Sequence, residues 1–354
     1  MLKPDGSVWA AGSNSHGQLG FESQAFTLNY VNLIAGSVNA VAAGGRHSLV
    51  VKRNGSLWAT GWNKYGQLGD GSVDDKHSFV MVFHNRTQSV AAGTHHSLLL
   101  TRHGDVWATG WNLHGQLGDE SENSRSSFLL VASGVKAVAA AAYSSMLVKQ
   151  DGSLWAAGWN SNSELGDGTK TRQRRFLKVI SDDVVAVAPG NFHSMALKRD
   201  GSVWATGQNS YGQLGNPSIK STAVFMKVVL PGSKEASGQF KNVSSSGARA
   251  LAVGLRHTII LKRDGSMWAT GQNDNGQLGD TYIKSADIFV KIIQTDVQAV
   301  VAGGYRSFVL TTDGSWNATG KNNFGQLGDG SRVDKTRFAR VASIAPSISR
   351  TCEF

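Results

Sequence analysis

The chain has 354 residues, with 35 Lys plus Arg against 25 Asp plus Glu for a formal charge of +10, and it holds 42 glycines but only 5 prolines. Glycine without proline excludes collagen and proline-rich disorder, and glycine's cost inside helices argues against an all-helical chain. A composition that is 40% hydrophobic and 17% charged argues against intrinsic disorder.

From the N-terminus, Leu2-Lys3 reads as the end of a strand and Asp5-Gly6 as a hairpin turn. Ser7 to Ala11 then forms a strand leading to Gly12. The opening Met1-Leu2-Lys3-Pro4-Asp5-Gly6 lacks the apolar core of a signal peptide. No run approaches the roughly 18 apolar residues of a membrane span. The chain therefore reads as soluble and not membrane-bound, with a cytoplasmic or nuclear location favoured. The only cysteine is Cys352, which leaves no internal disulfide and no cysteine-based zinc site.

The segment after Gly12 recurs along the whole chain. Gly-x-Asn followed by Gly-Gln-Leu-Gly is anchored at Gly12, Gly61, Gly110, Gly158, Gly207, Gly271 and Gly320, at spacings of 49, 49, 48, 49, 64 and 49 residues. The asparagines are Asn14, Asn63, Asn112, Asn160, Asn209, Asn273 and Asn322, and the fourth copy alone reads Ser163-Glu164-Leu165-Gly166. Within each copy an apolar, β-branched run such as His257–Arg263 is followed by Asp264-Gly265 and a second run, Ser266–Gly271. Equivalent turns are Asn54-Gly55, His103-Gly104, Asp151-Gly152, Asp200-Gly201 and Asp313-Gly314. Such a pair between two strand-like runs predicts a two-residue hairpin with both turn residues at positive φ. Two more strands follow, as at 176–180 and 184–188. Four strands at a period near 49 predict one blade of a β-propeller. The whole chain, 1–354, is then one all-β, seven-bladed propeller with four antiparallel strands per blade.

Trp9, Trp58, Trp107, Trp155, Trp204 and Trp268 share one repeat position and are expected to pack between blades. In the seventh copy Asn317 falls there and Trp316 lies one place earlier, so that blade is expected to be irregular. Small residues such as Ala42-Ala43-Gly44 are expected where blades converge. The long spacing marks a loop insertion at 231–247, and 343–354 is an irregular tail without the repeat pattern. The ends do not match into one blade, which suggests a fragment, a truncated gene model or an unusual closure.

Gly61-Trp62-Asn63-Lys64-Tyr65-Gly66-Gln67-Leu68-Gly69-Asp70-Gly71, preceded by Arg46-His47-Ser48-Leu49, resembles the repeat of the regulator of chromosome condensation family. The resemblance covers nearly the whole chain and implies a seven-bladed ring. It also implies action by binding a macromolecule. Family members include an exchange factor for a nuclear small GTPase, ubiquitin-ligase domains, an ultraviolet-B photoreceptor and a secreted β-lactamase inhibitor. The photoreceptor branch carries tryptophan where this chain has Gly45, Thr94, Ala142, Asn191, Leu255 and Gly304, which argues against light sensing.

Two candidate partner-binding features stand out. Trp62, Trp111 and Trp159 follow the anchor glycine in three consecutive copies and form a candidate sticky patch. Lys170, Arg172, Arg174, Arg175 and Lys178 form the densest basic cluster, with no acid among them, and suit an acidic surface. His47, His96, His193 and His257 occupy one repeat position and are read as scaffold. No catalytic motif is present, and metal binding and cofactors are not expected. The expected function is a non-enzymatic, monomeric interaction scaffold for a protein. The alternative is a guanine-nucleotide exchange factor for a small GTPase. Chromatin or nucleic acid is a further candidate partner.

Overall fold

A computed structural model describes residues 1–22, 25–84, 86–228 and 247–341. The insertion expected at 231–247, apart from Gly247, and the tail expected at 343–354 lie outside the described residues. Every strand pairing between named elements is antiparallel. The first strands are β1 (Val8–Ser13) and β2 (Phe26–Ile34), which pair with each other as a two-stranded sheet, with a single bridge from Leu2 to Val8. Next come β3 (Val38–Ala43), β4 (His47–Lys52), β5 (Leu57–Gly61) and β6 (Lys76–Phe83), paired in sequence order as a four-stranded blade. The same blade recurs over residues 87–132, 135–180, 184–228, 248–293 and 297–340. Among the described residues there are thus six four-stranded blades, not the seven expected. Among the described residues the first repeat contributes two strands, β1 and β2.

The two-stranded sheet sits between the last blade and the first. Asn29 bridges Asp329 on one side, and on the other Thr60 donates its hydroxyl to Gly17 O at 2.8 Å. Innermost strands touch their counterparts in the next blade, β3 against Thr87–Ala92 and Ala248–Val253 against Val297–Gly303. The second strand of most blades, such as β4, is largely buried, since both its faces meet neighbouring blades; in the 297–340 blade, Arg306–Thr311 is about half buried. The core is accordingly a series of clusters lying between blades. In one, Met146, Val148 and Leu154 pack against Val184, Ala196 and Trp204 of the next blade. Each fully buried Leu or Ile in such a cluster contributes about 1.5–3 kcal/mol.

The hairpins differ from the expected type. Gly55 N donates to Lys52 O at 2.8 Å, and only the glycine of each Asx-Gly pair has positive φ (Gly55, 83°). The aspartate or asparagine side chain instead accepts the N–H two residues on, as Asn54 does from Ser56 at 3.0 Å. This is a type I turn followed by a left-handed glycine, the three-residue hairpin loop.

The expected irregularity at Trp316 is absent. Asn317 pairs with Val309 just as Trp58 pairs with Val50, so no register slip occurs. Trp316 takes the place of Leu57 and packs with Phe308, Leu327 and Val341. The irregular unit is the first repeat instead.

Candidate interaction face

The Gly-x-Asn…Gly-Gln-Leu-Gly turns build one face of the ring, and the chain dictates their shape. Each asparagine Oδ1 accepts the N–H of the leucine five residues on, from Asn14–Leu19 at 2.8 Å to Asn322–Leu327 at 2.9 Å. Asn63 Nδ2 donates to Asp70 Oδ1 at 3.0 Å, tying off the loop. The glutamine turns back on itself: Gln67 Oε1 accepts Tyr65 N at 3.0 Å. The last glycine of each motif lies under an aromatic ring from the next blade. A Cβ on Gly69 would sit 2.4 Å from Phe128, and one on Gly328 would sit 2.2 Å from Tyr30 in β2. The leucines are buried: Leu68, Leu117, Leu165, Leu278 and Leu327 are fully enclosed.

The four histidines join blades. His47 Nε2 meets Ser97 Oγ at 2.9 Å, His96 meets Ser145 at 2.9 Å, His193 meets Thr258 at 2.8 Å and His257 meets Ser307 at 2.9 Å. Glycine makes the room, because a Cβ on Gly44 would lie 2.2 Å from the His47 ring. Burial pushes His47, His96 and His193 down to about 3 and His257 to about 4, so all four are neutral linkers. Ser144 replaces histidine in the 135–180 blade, and Arg306 in the 297–340 blade.

The tryptophans at the shared repeat position serve the blade walls. Trp58 Nε1 donates to Ser56 Oγ at 3.0 Å, and Lys52 Nζ lies 3.8 Å from the ring centroid. The same arrangement recurs at Trp9, Trp155, Trp204 and Trp268. In the 87–132 blade Trp107 packs against the preceding blade beside Phe83, where Thr101 stands in the lysine's place.

Trp62, Trp111 and Trp159 are brought together by residues absent from the sequence expectation. Trp62 lies 5.4 Å from Tyr65 in its own turn and 4.9 Å from His95 in the next blade. Tyr65 stacks on Trp111 at 5.6 Å. Trp111 meets His114 at 4.9 Å and Tyr143 at 5.4 Å, and His114 reaches Trp159 at 4.5 Å. His16, 6.0 Å from Trp62, extends the row to the two-stranded sheet. The result is a partly buried aromatic arc over about half the face. The arc draws on the residue before the linker histidine or the serine in its place (His95, Tyr143) and the residue two before each motif glutamine (His16, Tyr65, His114). Their aromatic character in successive copies was the available signal. Elsewhere on the face, Gln208, Gln272 and Lys321 replace the tryptophans.

The basic cluster does not stay whole. Arg172 and Arg174 both reach Glu122 Oε1, at 2.8 and 2.9 Å, so an acid from the neighbouring blade stands among them. Arg172 also donates to Leu113 O at 3.0 Å, beside the arc. Lys178 is drawn away and lies 5.6 Å from the Trp155 ring. Lys170 and Arg175 are exposed. Among the described residues no group of three or more His, Cys, Asp or Glu is placed to hold a metal, and no helix is long and apolar enough to cross a membrane.

Sequence profiles of the regulator of chromosome condensation (RCC1) repeat match residues 38–67, 88–116, 184–213 and 248–277, and residues 54–100, 151–197 and 200–261. The chain belongs to the RCC1 repeat family and is an RCC1-like β-propeller. No curated protein sequence matches it. Among solved structures, human WBSCR16 is similar at 22% identity and a TM-score of 0.84, covering 95% of this chain and 94% of that one. Prp20p from Saccharomyces cerevisiae, described with its binding to Gsp1p and histones, is similar at 19% identity and a TM-score of 0.82, covering 97% and 87%. Yeast RCC1 (Prp20) bound to Kap60 is similar at 17% and 0.81, covering 97% and 85%. At these identities the likeness is one of fold.

Proposed function

We propose that the chain is a non-enzymatic interaction scaffold that binds a macromolecular partner through the loop face carrying Trp62, Trp111 and Trp159. It is read as one domain over 1–354, a ring of seven positions in which the first repeat fills the seventh, acting as a monomer in the cytoplasm or nucleus. The aromatic arc is the observation that supports this reading. Clustered aromatic side chains that are partly buried supply contact area at low entropic cost and dominate the energetics of many interfaces. Arg172 at the arc's edge keeps an acidic protein surface within the proposal. Affinity capture at two salt concentrations, with the wild-type chain and the combined Trp62→Ala, Trp111→Ala, Trp159→Ala variant, tests it. Proteins retained by the first and lost by the second support the reading. Retention by both alike, or by neither, rejects it.

A second reading is guanine-nucleotide exchange on a small GTPase. It is favoured by likeness to Prp20p, which is described as binding Gsp1p. The same description names histones, which keeps chromatin in view as a partner. Nucleotide release from a panel of small GTPases, unaccelerated by this chain, rejects the exchange reading.

A further inference from the structure

We infer that the aromatic arc receives an acidic, extended protein segment, with apolar side chains on Trp62, Trp111 and Trp159 and carboxylates meeting the cations alongside. The inference rests on the scaffold reading and specifies the chemistry of its partner.

The middle of the arc is uncharged. The ionisable groups packed among its rings are imidazoles and the phenols of Tyr65 and Tyr143. Burial pulls His95 and His114 below the ordinary imidazole range, with Arg46 adding to the effect on His95 and Arg172 on His114, while Glu122 opposes it. Both rings are therefore uncharged at pH 7, so no charge interrupts the aromatic row.

Cations border that row at both ends. Arg46 lies 5.7 Å from the Trp62 ring and contacts His16 at 3.3 Å, and Lys64 is exposed in the turn between Trp62 and Tyr65. Neither has a carboxylate within ion-pair distance among the described residues. At the other end two guanidiniums share one oxygen of Glu122, which leaves one positive charge in excess. Asp75 is engaged by His16 at 3.2 Å. An uncharged aromatic row with positive ends complements a segment whose carboxylates flank hydrophobic residues.

The face also carries exposed Asp74 and Glu120 on the loops just outside the row. A nucleic-acid strand, charged at every step, would bring phosphates beside these two acids. A peptide can space its carboxylates to meet only the cations. A row of rings, open along its length, suits an extended segment better than a compact ligand.

Fluorescence anisotropy tests this with a dye-labelled twelve-residue peptide alternating Glu with Phe and Leu. The comparison probes are the same peptide with Lys for Glu and an oligonucleotide of twelve thymidines. The acidic peptide should bind, and more weakly as salt rises. Trp111→Ala should weaken it at least about tenfold, as expected of a hot-spot ring, and Trp111→Phe should weaken it less. Arg46→Ser combined with Lys64→Ser should weaken it and reduce the salt dependence. Equal binding of the lysine peptide, tighter binding of the oligonucleotide, or indifference to Trp111→Ala would overturn the inference. If no peptide binds while captured proteins still require the arc, this inference fails alone. If captured proteins also ignore the arc, the scaffold reading fails with it.

Discussion

His47 and Ser97 meet across a blade boundary at 2.9 Å, and the direction of that bond is fixed by a third group. Ser97 Oγ gives its single proton to Gln67 O at 2.7 Å. It must therefore accept from His47 Nε2–H, which selects the neutral tautomer protonated at Nε2. Histidine from one blade, hydroxyl from the next and carbonyl from the first blade's turn thus form a closed link. The link recurs at His96–Ser145–Gln116, His193–Thr258–Gln213 and His257–Ser307–Gln277.

Breaking one link should cost more than a surface change. Ser97→Ala strands a buried imidazole N–H and removes a donor from Gln67 O, so a loss of about 1–3 kcal/mol is expected. Urea denaturation of the two proteins measures it. An unchanged midpoint would show that the link contributes nothing.

Acid should unfold the protein through the same imidazoles. Their folded values of about 3 to 4 lie below the unfolded value near 6.5, so the unfolded chain binds protons first. The stability is fully present above that unfolded value and is lost as pH falls toward the folded ones. Each histidine should add about 1.4 kcal/mol per pH unit across that window. Denaturation midpoints from pH 7 to 4 should fall with increasing steepness, and His96→Gln should reduce the slope. A flat profile would contradict the assignment.

Glu164 should act in the opposite direction. It replaces the glutamine of the other six copies, is 2% exposed, and accepts Asn162 N at 2.8 Å. Burial raises its carboxyl to about 7, above an ordinary 4.5. The folded state prefers the neutral acid, so stability is present below the unfolded value and is lost as pH rises through the folded one. Glu164→Gln should stabilise the protein by about 1–3 kcal/mol at pH 8 and little at pH 4. Equal effects at both pH values would rule out the buried acid.

Ser163 carries the other mark of that copy. Its φ is 63°, where the equivalent residues are Gly66 at 78° and Gly115 at 79°. A left-handed backbone costs a non-glycine residue roughly 1–2 kcal/mol. Ser163→Gly should raise the melting temperature, whereas Gly66→Ala should lower it, since its Cβ would sit 2.4 Å from Ser126 Cα. A lower melting temperature for Ser163→Gly would refute the strain.

Much of the fold was legible because the repeat is regular. The asparagines, the buried leucines and the wall tryptophans each recur at one spacing, and one packing reason serves every copy. The blade count was less legible. Seven anchors were visible, but an anchor marks only the third strand of a blade; the short Leu2-Lys3 segment ahead of the first hairpin was the sign that the first repeat differs, and among the described residues it forms two strands. Trp316 misled because its shift was read as a slip, whereas the strand kept register and used the indole in place of Leu57. The tryptophan arc was half visible. Trp62, Trp111 and Trp159 share a position, but His95, Tyr65, His114 and Tyr143 join them only across blade boundaries, which linear spacing does not show. Glu122 was missed beside Arg172 and Arg174 for the same reason.

The central claim is that the aromatic arc is the binding face. The most direct test is the dissociation constant of a purified captured partner for wild type, for Trp111→Ala and for Leu130→Ser on an exposed outer strand. Trp111→Ala is expected to bind at least about tenfold more weakly and Leu130→Ser to bind unchanged, with both variants folded by melting temperature. Unchanged affinity for Trp111→Ala, or weakening confined to Leu130→Ser, would contradict that claim.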